Sequence, residues 1–334
     1  VAIAAASVVV IAAAWATTRG GSSLDAGRAA EVTRLAQLET GSSVRSSLTR
    51  TAETSWMRSS PVGLFIHFGP SSGLAAPSDS SWWRAARSPA ELAAAERFNP
   101  DPRVADGWVA LAKRMGASYI TVVAKHHDGF ALWPTRMSLW SVTPNEDVVG
   151  RLIRDGRRAG LRVFVYYSLL DWHEPTYKHD PAAYLAFVDA QLRELLTSYG
   201  PIAGVWFDGS WDHGLNDAQL EQIFTYVHRL QPWALVGDNS HGRPLPGADF
   251  QIFEGGLPGA KGTVGHAPLT LLPSQEAVKL GATWFWDGRA DPNSGSRFRE
   301  LRRAAATAHV SLLADVAPDP AGRIPAKVAA ALTR

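Results

Sequence analysis

The chain has no cysteine. That excludes disulfides, zinc thiolate sites and a cysteine nucleophile, and says little about compartment. An excess of one charge is missing too: 33 basic residues stand against 31 acidic ones, with no basic run or stripe. Nucleic acid is therefore not an implied partner. No G-x-G-x-x-G follows the first strand-like run, which weakens a nucleotide-binding open sheet. No internal repeat of solenoid period occurs. Long uncharged hydrophobic runs are scarce as well, the notable one being VAIAAASVVVIAAAWA at 1–16. It is short for a membrane span and long for a signal core. Ala14-Trp15-Ala16 fits a small-x-small cleavage site, and a Gly/Ser/Thr-rich spacer follows at 17–23. The expectation for 1–23 is an export signal or an N-terminal membrane anchor, with a buried core helix as the alternative. The protein is accordingly expected outside the cytoplasm, secreted or tethered through residues 1–16.

Hydrophobic residues make up 46% of the chain, enough for a sizeable core. Thirteen Trp are present, which serve equally as core material or as walls of sugar sites. Short apolar runs fall at 63–68, 119–124, 162–167, 204–208, 234–238, 249–254, 282–286 and 309–316. Most read as strands buried on both faces. Amphipathic helical segments separate several of them, at 102–115, 146–159, 180–199, 216–230 and 295–308. Eight such strands over ~250 residues predict an α/β chain folded as a (β/α)8 TIM-like barrel, with 24–334 as one domain. A doubly wound open sheet is the competing fold.

In a barrel, reacting groups sit at the C-terminal ends of the strands. Here those ends carry His67; Lys125, His126, His127 and Asp128; Tyr166, Tyr167, Asp171 and Trp172; Trp206 and Asp208; Asp238 and Asn239; Glu254; Trp284, Trp286 and Asp287; and Asp315. Asp208 and Glu254, on strands four and six, suit glycoside hydrolysis, one as nucleophile and the other as proton donor. The donor's pKa is expected to be raised by burial or charge repulsion. Asp208-Gly209 is also ordinary turn chemistry. The His126-His127 pair reads as core or as metal ligands. Adjacent strand residues point opposite ways, which counts against a shared metal.

Together GLFIHFGPSS (63–72), GWVALAKRMGASYITVVAKHHDGFALWPT (107–135), GLRVFVYYSLLDW (160–172), YGPIAGVWFDG (199–209), DFQIFEGG (249–256) and HVSLLADVAPDPAGRIP (309–325) resemble the α-L-fucosidases of glycoside hydrolase family 29. The resemblance runs over roughly 55–326 in the family's order. It implies a retaining exo-hydrolase of terminal α-L-fucose, acting on fucosylated glycans without a metal or cofactor. Asp208 matches the nucleophile and Glu254 the usual acid/base, with Glu276 as its rival. His67, His126, His127, Tyr167 and Trp206 match positions lining the fucose pocket, and Trp284 an aromatic packed on the sugar methyl. Three departures stand out. Ser81-Trp82-Trp83 replaces a Glu-Trp-Tyr segment, so a sugar-binding carboxylate is missing there while Trp82 remains. Asp238-Asn239 replaces an Asp-Arg pair, so a cation near the nucleophile is missing, with Arg243 the nearest substitute in sequence. Leu313-Ala314-Asp315 replaces Leu-Leu-Asn. The family's C-terminal β-sandwich is not expected here. Two other readings stay open: a non-catalytic carbohydrate-binding barrel, or a metal-dependent hydrolase built on His126, His127, Asp128 and Asp208.

Overall fold

The computed structural model describes residues 51–333 apart from 243 and 266–271. The expected signal or anchor, its spacer and Arg243 lie outside them. Among the described residues, no helix is long and apolar enough to cross a membrane.

Eight parallel strands close into a barrel in chain order, the last pairing with the first. They are β1 (Val62–Ile66), β2 (Tyr119–Lys125), β3 (Arg162–Ser168), β4 (Gly204–Asp208), β5 (Leu235–Asn239), β6 (Phe250–Glu254), β7 (Ser274–Lys279) and β8 (Ser311–Asp315). Helices α1 (Asp79–Ala85), α2 (Pro89–Glu96) and α3 (Val104–Arg114) follow β1. Then come α4 (Val148–Arg158) after β2, α5 (Pro181–Ser198) after β3, α6 (Asp217–Leu230) after β4, α7 (Ser294–Ala308) after β7 and α8 (Ala326–Leu332) after β8. The described residues after β5 and after β6 form loops instead.

Side-chain alternation splits the core in two. Phe65, Tyr119, Phe164, Tyr166, Trp206, Phe250 and Leu313 fill the barrel interior. Leu64, Ile120, Val163, Val165, Tyr167, Phe207, Val236 and Leu312 face the helices. The interior aromatics need small opposite numbers. A Cβ at Gly204 would collide with Phe164, and one at Gly237 with Phe250. Glycine on these inward positions is thus a packing requirement.

One expected strand was misplaced. ATWFW (282–286) forms bends at the barrel mouth, and β7 is the more polar SQEAVK. The inward face of β7 is polar because Gln275 bonds Trp206 and Tyr119 inside the barrel and Lys279 pairs with Asp79. A polar lumen hides a strand from an apolar-run criterion, while aromatic loop residues imitate one.

The same alternation turns Glu276 outward. It is fully buried, on the opposite face from Gln275 and Ala277, and both carboxylate oxygens lack a hydrogen-bond partner among the described residues. The rival acid/base therefore does not reach the barrel mouth. Burial pushes its carboxyl from 4.5 to about 7, against a weaker opposing pull from Arg297. The folded-state value lies above the unfolded one, so the unfolded chain releases this proton first as pH rises. The residue's contribution to stability is intact below about 4.5 and is lost as pH passes about 7. Glu276→Gln should therefore flatten the fall in melting temperature across that window. Parallel curves for variant and wild type would refute this.

Candidate active site

The top of the barrel holds a cavity of about 200 Å³ that opens at the barrel mouth. His67, Trp82, His126, His127, Trp206, Asp208, Asn239, Glu254 and Trp284 all line it. Tyr167 does not. Its ring lies behind the sheet and its hydroxyl donates to Gln191 Oε1 at 2.7 Å, so this expectation is corrected to Tyr166, one residue earlier and of inward parity.

Asp208 ends β4, and Gly209 follows with φ of 80°, in the left-handed region. Asp-Gly is thus both a turn and a site, because the turn is what leaves the carboxylate at the rim. Oδ1 accepts from the Gly209 N–H (2.8 Å), Trp211 Nε1 (3.1 Å) and Asn239 Nδ2 (3.2 Å). Oδ2 accepts from the Tyr166 hydroxyl at 2.7 Å. Three donors occupy one oxygen and one the other, so Oδ2 keeps lone-pair density for a reaction.

Asn239 also donates to Glu254 Oε2 at 2.9 Å. A single amide thus bridges both carboxylates. The two contacts keep Asp208 Oδ1 and Glu254 Oε2 within about 6 Å of each other. Burial alone would raise Glu254. Contacts with His241 and Asn239, with the more distant Lys279, instead hold it below the ordinary carboxylate value. The expectation of a raised acid is therefore corrected, and the cause is cationic and hydrogen-bonding company that the sequence pattern did not reveal.

The histidines hold defined roles. The Ser168 hydroxyl donates to the Leu170 carbonyl at 2.6 Å, so its oxygen accepts from His127 Nδ1 at 2.6 Å. Burial drives His127 down to about 4, with Asp208 opposing, so the ring is neutral near pH 7 and its Nε2 is an acceptor facing the cavity. His126 is lowered well below its usual value by burial and then by the neighbouring His127, His67 and Lys125. His67 Nδ1 sits 2.7 Å from Asp315 Oδ1, so the departure at the end of β8 supplies this ring with a carboxylate.

His126 and His127 do share a cavity, contrary to the alternation argument. They lie just past β2, where the register slips between Val123 and Lys125, and no longer obey the pleat. Donor atoms of His126, His127 and Asp208 fall within 4.8 Å of one another. Both Asp208 oxygens already accept hydrogen bonds, as in a carboxylate held for acid–base or nucleophilic work.

Several cavity residues went unrecognised in the sequence. Asp79, in the first turn of α1, brings a carboxylate to the wall, where it pairs with Lys279. Ser81, two residues on, only closes the capping box with Ser78. A carboxylate thus reaches the cavity wall from two positions before the one where it was read as lost. Trp83, Trp211 and His241 complete the rim. His241 stacks on Trp211 with centroids 5.2 Å apart and planes at 5°.

Tyr166 and Tyr167 allow a paired test. A hydrogen bond to a charged group contributes ~1.5–3 kcal/mol, so Tyr166→Phe should lower kcat/KM for an aryl glycoside ~10- to 100-fold. Tyr167→Phe should leave it within about twofold and cost ~1 kcal/mol of stability through the stranded Gln191. Equal rate losses in both would contradict the assignment.

Comparison with known proteins places this geometry. The family model described as Alpha-L-fucosidase matches residues 30–334. The chain is 28% identical over 293 residues to alpha-L-fucosidase 1 of Arabidopsis thaliana, covering 79% of this chain and 54% of that protein. It spans about half the length of the curated relatives it matches most fully. In fold it is similar to an α-L-fucosidase of Bacteroides thetaiotaomicron trapped as a covalent intermediate, with a TM-score of 0.72 at 22% identity, covering 88% of this chain and 75% of that one. A mutant of the Lactobacillus casei α-L-fucosidase AlfC, solved with 4-nitrophenyl-α-L-fucopyranoside, gives a TM-score of 0.67 at 25% identity over 84% of this chain and 96% of its own. With a match from residue 30 to residue 334 and the same barrel beneath it, the chain belongs to the α-L-fucosidase family.

Proposed function

We propose that the protein is a retaining α-L-fucosidase that removes terminal fucose from glycans outside the cytoplasm, exported or tethered through residues 1–16. The observation that carries this reading is the Asn239 amide shared between Asp208 and Glu254 at the mouth of a cavity with room for one sugar ring. Neutral His127 accepts a sugar hydroxyl at Nε2, and Trp206 and Trp284 offer apolar faces to the ring and its methyl group. Asp208 Oδ2 attacks the anomeric carbon as the glycosidic bond breaks. Glu254 protonates the departing oxygen and later takes a proton from the water that hydrolyses the ester. The amide donor shared by the two carboxylates supports the two-step route, in which no water has to stand between them in the first step.

The test is a panel of aryl glycosides offered to the chain lacking residues 1–23. Turnover of the α-L-fucoside above the galactosides and other controls supports the reading. Turnover of another sugar alone moves the specificity, and none on any sugar favours a binding protein.

A further inference from the structure

The proposed reaction needs a group that carries a proton at working pH, and Glu254 is held in its ionised form by its surroundings. A second titratable group stands beside it. His241 Nε2 lies 3.5 Å from Glu254 Oε2, one small side-chain movement from a hydrogen bond. The ring is clamped against Trp211, whose own N–H donates to Asp208. The His241 backbone has φ of 59°, in the left-handed region that non-glycine residues enter at a cost. Strain of that kind persists where the surroundings impose it, and here it aims the imidazole at the carboxylate.

We propose that His241 and Glu254 form a proton-sharing dyad, in which the imidazolium of His241 supplies the proton that Glu254 delivers to the leaving group. This rests on the glycosidase reading above. In the first step a bond forms between Asp208 Oδ2 and the anomeric carbon, and the glycosidic C–O bond breaks. The leaving oxygen takes a proton from Glu254, which takes one from His241 Nε2, leaving a neutral imidazole. In the second step water attacks the anomeric carbon, its proton returns through Glu254 to His241, and the ester opens to release Asp208. The sum is glycoside plus water giving sugar plus alcohol, with the dyad restored.

The charged groups around the ring support this direction. Burial would lower His241. Glu254 of β6, then Asp208 of β4 and Asp238 of β5, raise it above its ordinary value instead. On the far side of Glu254, Lys279 of β7 adds positive charge. Where the family commonly places an arginine, the neutral Asn239 bridges and the titratable His241 provides the cation. A permanent guanidinium cannot give up a proton at working pH, whereas an imidazolium can.

The test compares wild type with His241→Asn on two aryl α-L-fucosides, one with a strongly acidic leaving phenol and one with a weakly acidic phenol. General acid catalysis contributes ~10²–10⁴-fold. The variant should lose ~10²-fold in kcat/KM on the weakly acidic phenol, and under about threefold on the other, whose departure needs no proton. The alkaline limb of the kcat/KM profile should also move to lower pH in the variant. A merely structural role would slow both substrates alike. Imidazole titration by NMR provides a readout independent of turnover: His241 should titrate at lower pH in Glu254→Gln than in wild type. Active wild type with an unchanged leaving-group dependence in His241→Asn, or an unmoved imidazole in Glu254→Gln, overturns the dyad alone. A wild type that turns over no fucoside overturns the glycosidase reading and this step with it.

Discussion

Asp208→Ala should abolish turnover of an aryl α-L-fucoside, by ~10⁴-fold or more, while the protein stays folded. The reason is bond formation, not binding: without a carboxylate at the end of β4 no glycosyl ester can form. Folding should survive because Asp208 lies at the rim, and its removal also relieves the repulsion felt by buried Asp238. Burial and then Asp208 push Asp238 up to about 7, with the Ser210 hydroxyl opposing. The donors left behind by Asp208 line an open cavity, where water can satisfy them. A small anion such as azide would fit the vacated space, and should restore part of the rate with a β-fucosyl azide as product. Circular dichroism must show a native spectrum for the comparison to count. Activity within tenfold of wild type would remove Asp208 as nucleophile.

The largest effect on stability should come from a pair behind the site. Lys125 Nζ and Asp171 Oδ2 lie 2.7 Å apart, with side chains 0% and 1% exposed. Lys125 also sits 4.6 Å over the Tyr167 ring. Asp171 Oδ1 accepts the N–H groups of His173 and Glu174, so this carboxylate shapes the loop after β3 as well. Breaking a buried pair from one side leaves an uncompensated charge and costs ~3–5 kcal/mol. Lys125→Met should therefore destabilise severely, and Asp171→Asn somewhat less because an amide oxygen can still accept the loop N–H groups. The double variant Lys125→Met/Asp171→Asn should recover part of the loss, since no lone buried charge remains. Denaturant unfolding measures all three. Additive losses would show that the pair is not coupled.

The barrel was legible because parallel strands buried on both faces are written as apolar runs, and five inter-strand helices carry helical periodicity. β7 failed that criterion through its polar inward face, where Gln275 and Lys279 serve the lumen. The two carboxylates at the cavity mouth, Asp208 and Glu254, were legible as well, since each is the last residue of its strand. Tyr167 and Glu276 were misjudged for one shared reason: a one-residue difference on a strand exchanges lumen for helix layer, and motif matching does not register parity. Asp79 and His241 were invisible for another. Both come from segments whose path over the barrel mouth depends on packing, the first from a capped helix turn and the second from a strained bend stacked on Trp211.

The central claim is a two-step displacement at the anomeric carbon through Asp208. The measurement that bears on it most directly is proton NMR of the first sugar released from an aryl α-L-fucoside, recorded before mutarotation. The account predicts α-L-fucose, the product of two successive inversions. Initial release of β-L-fucose would mean that water attacks directly, and would contradict the nucleophilic role given to Asp208.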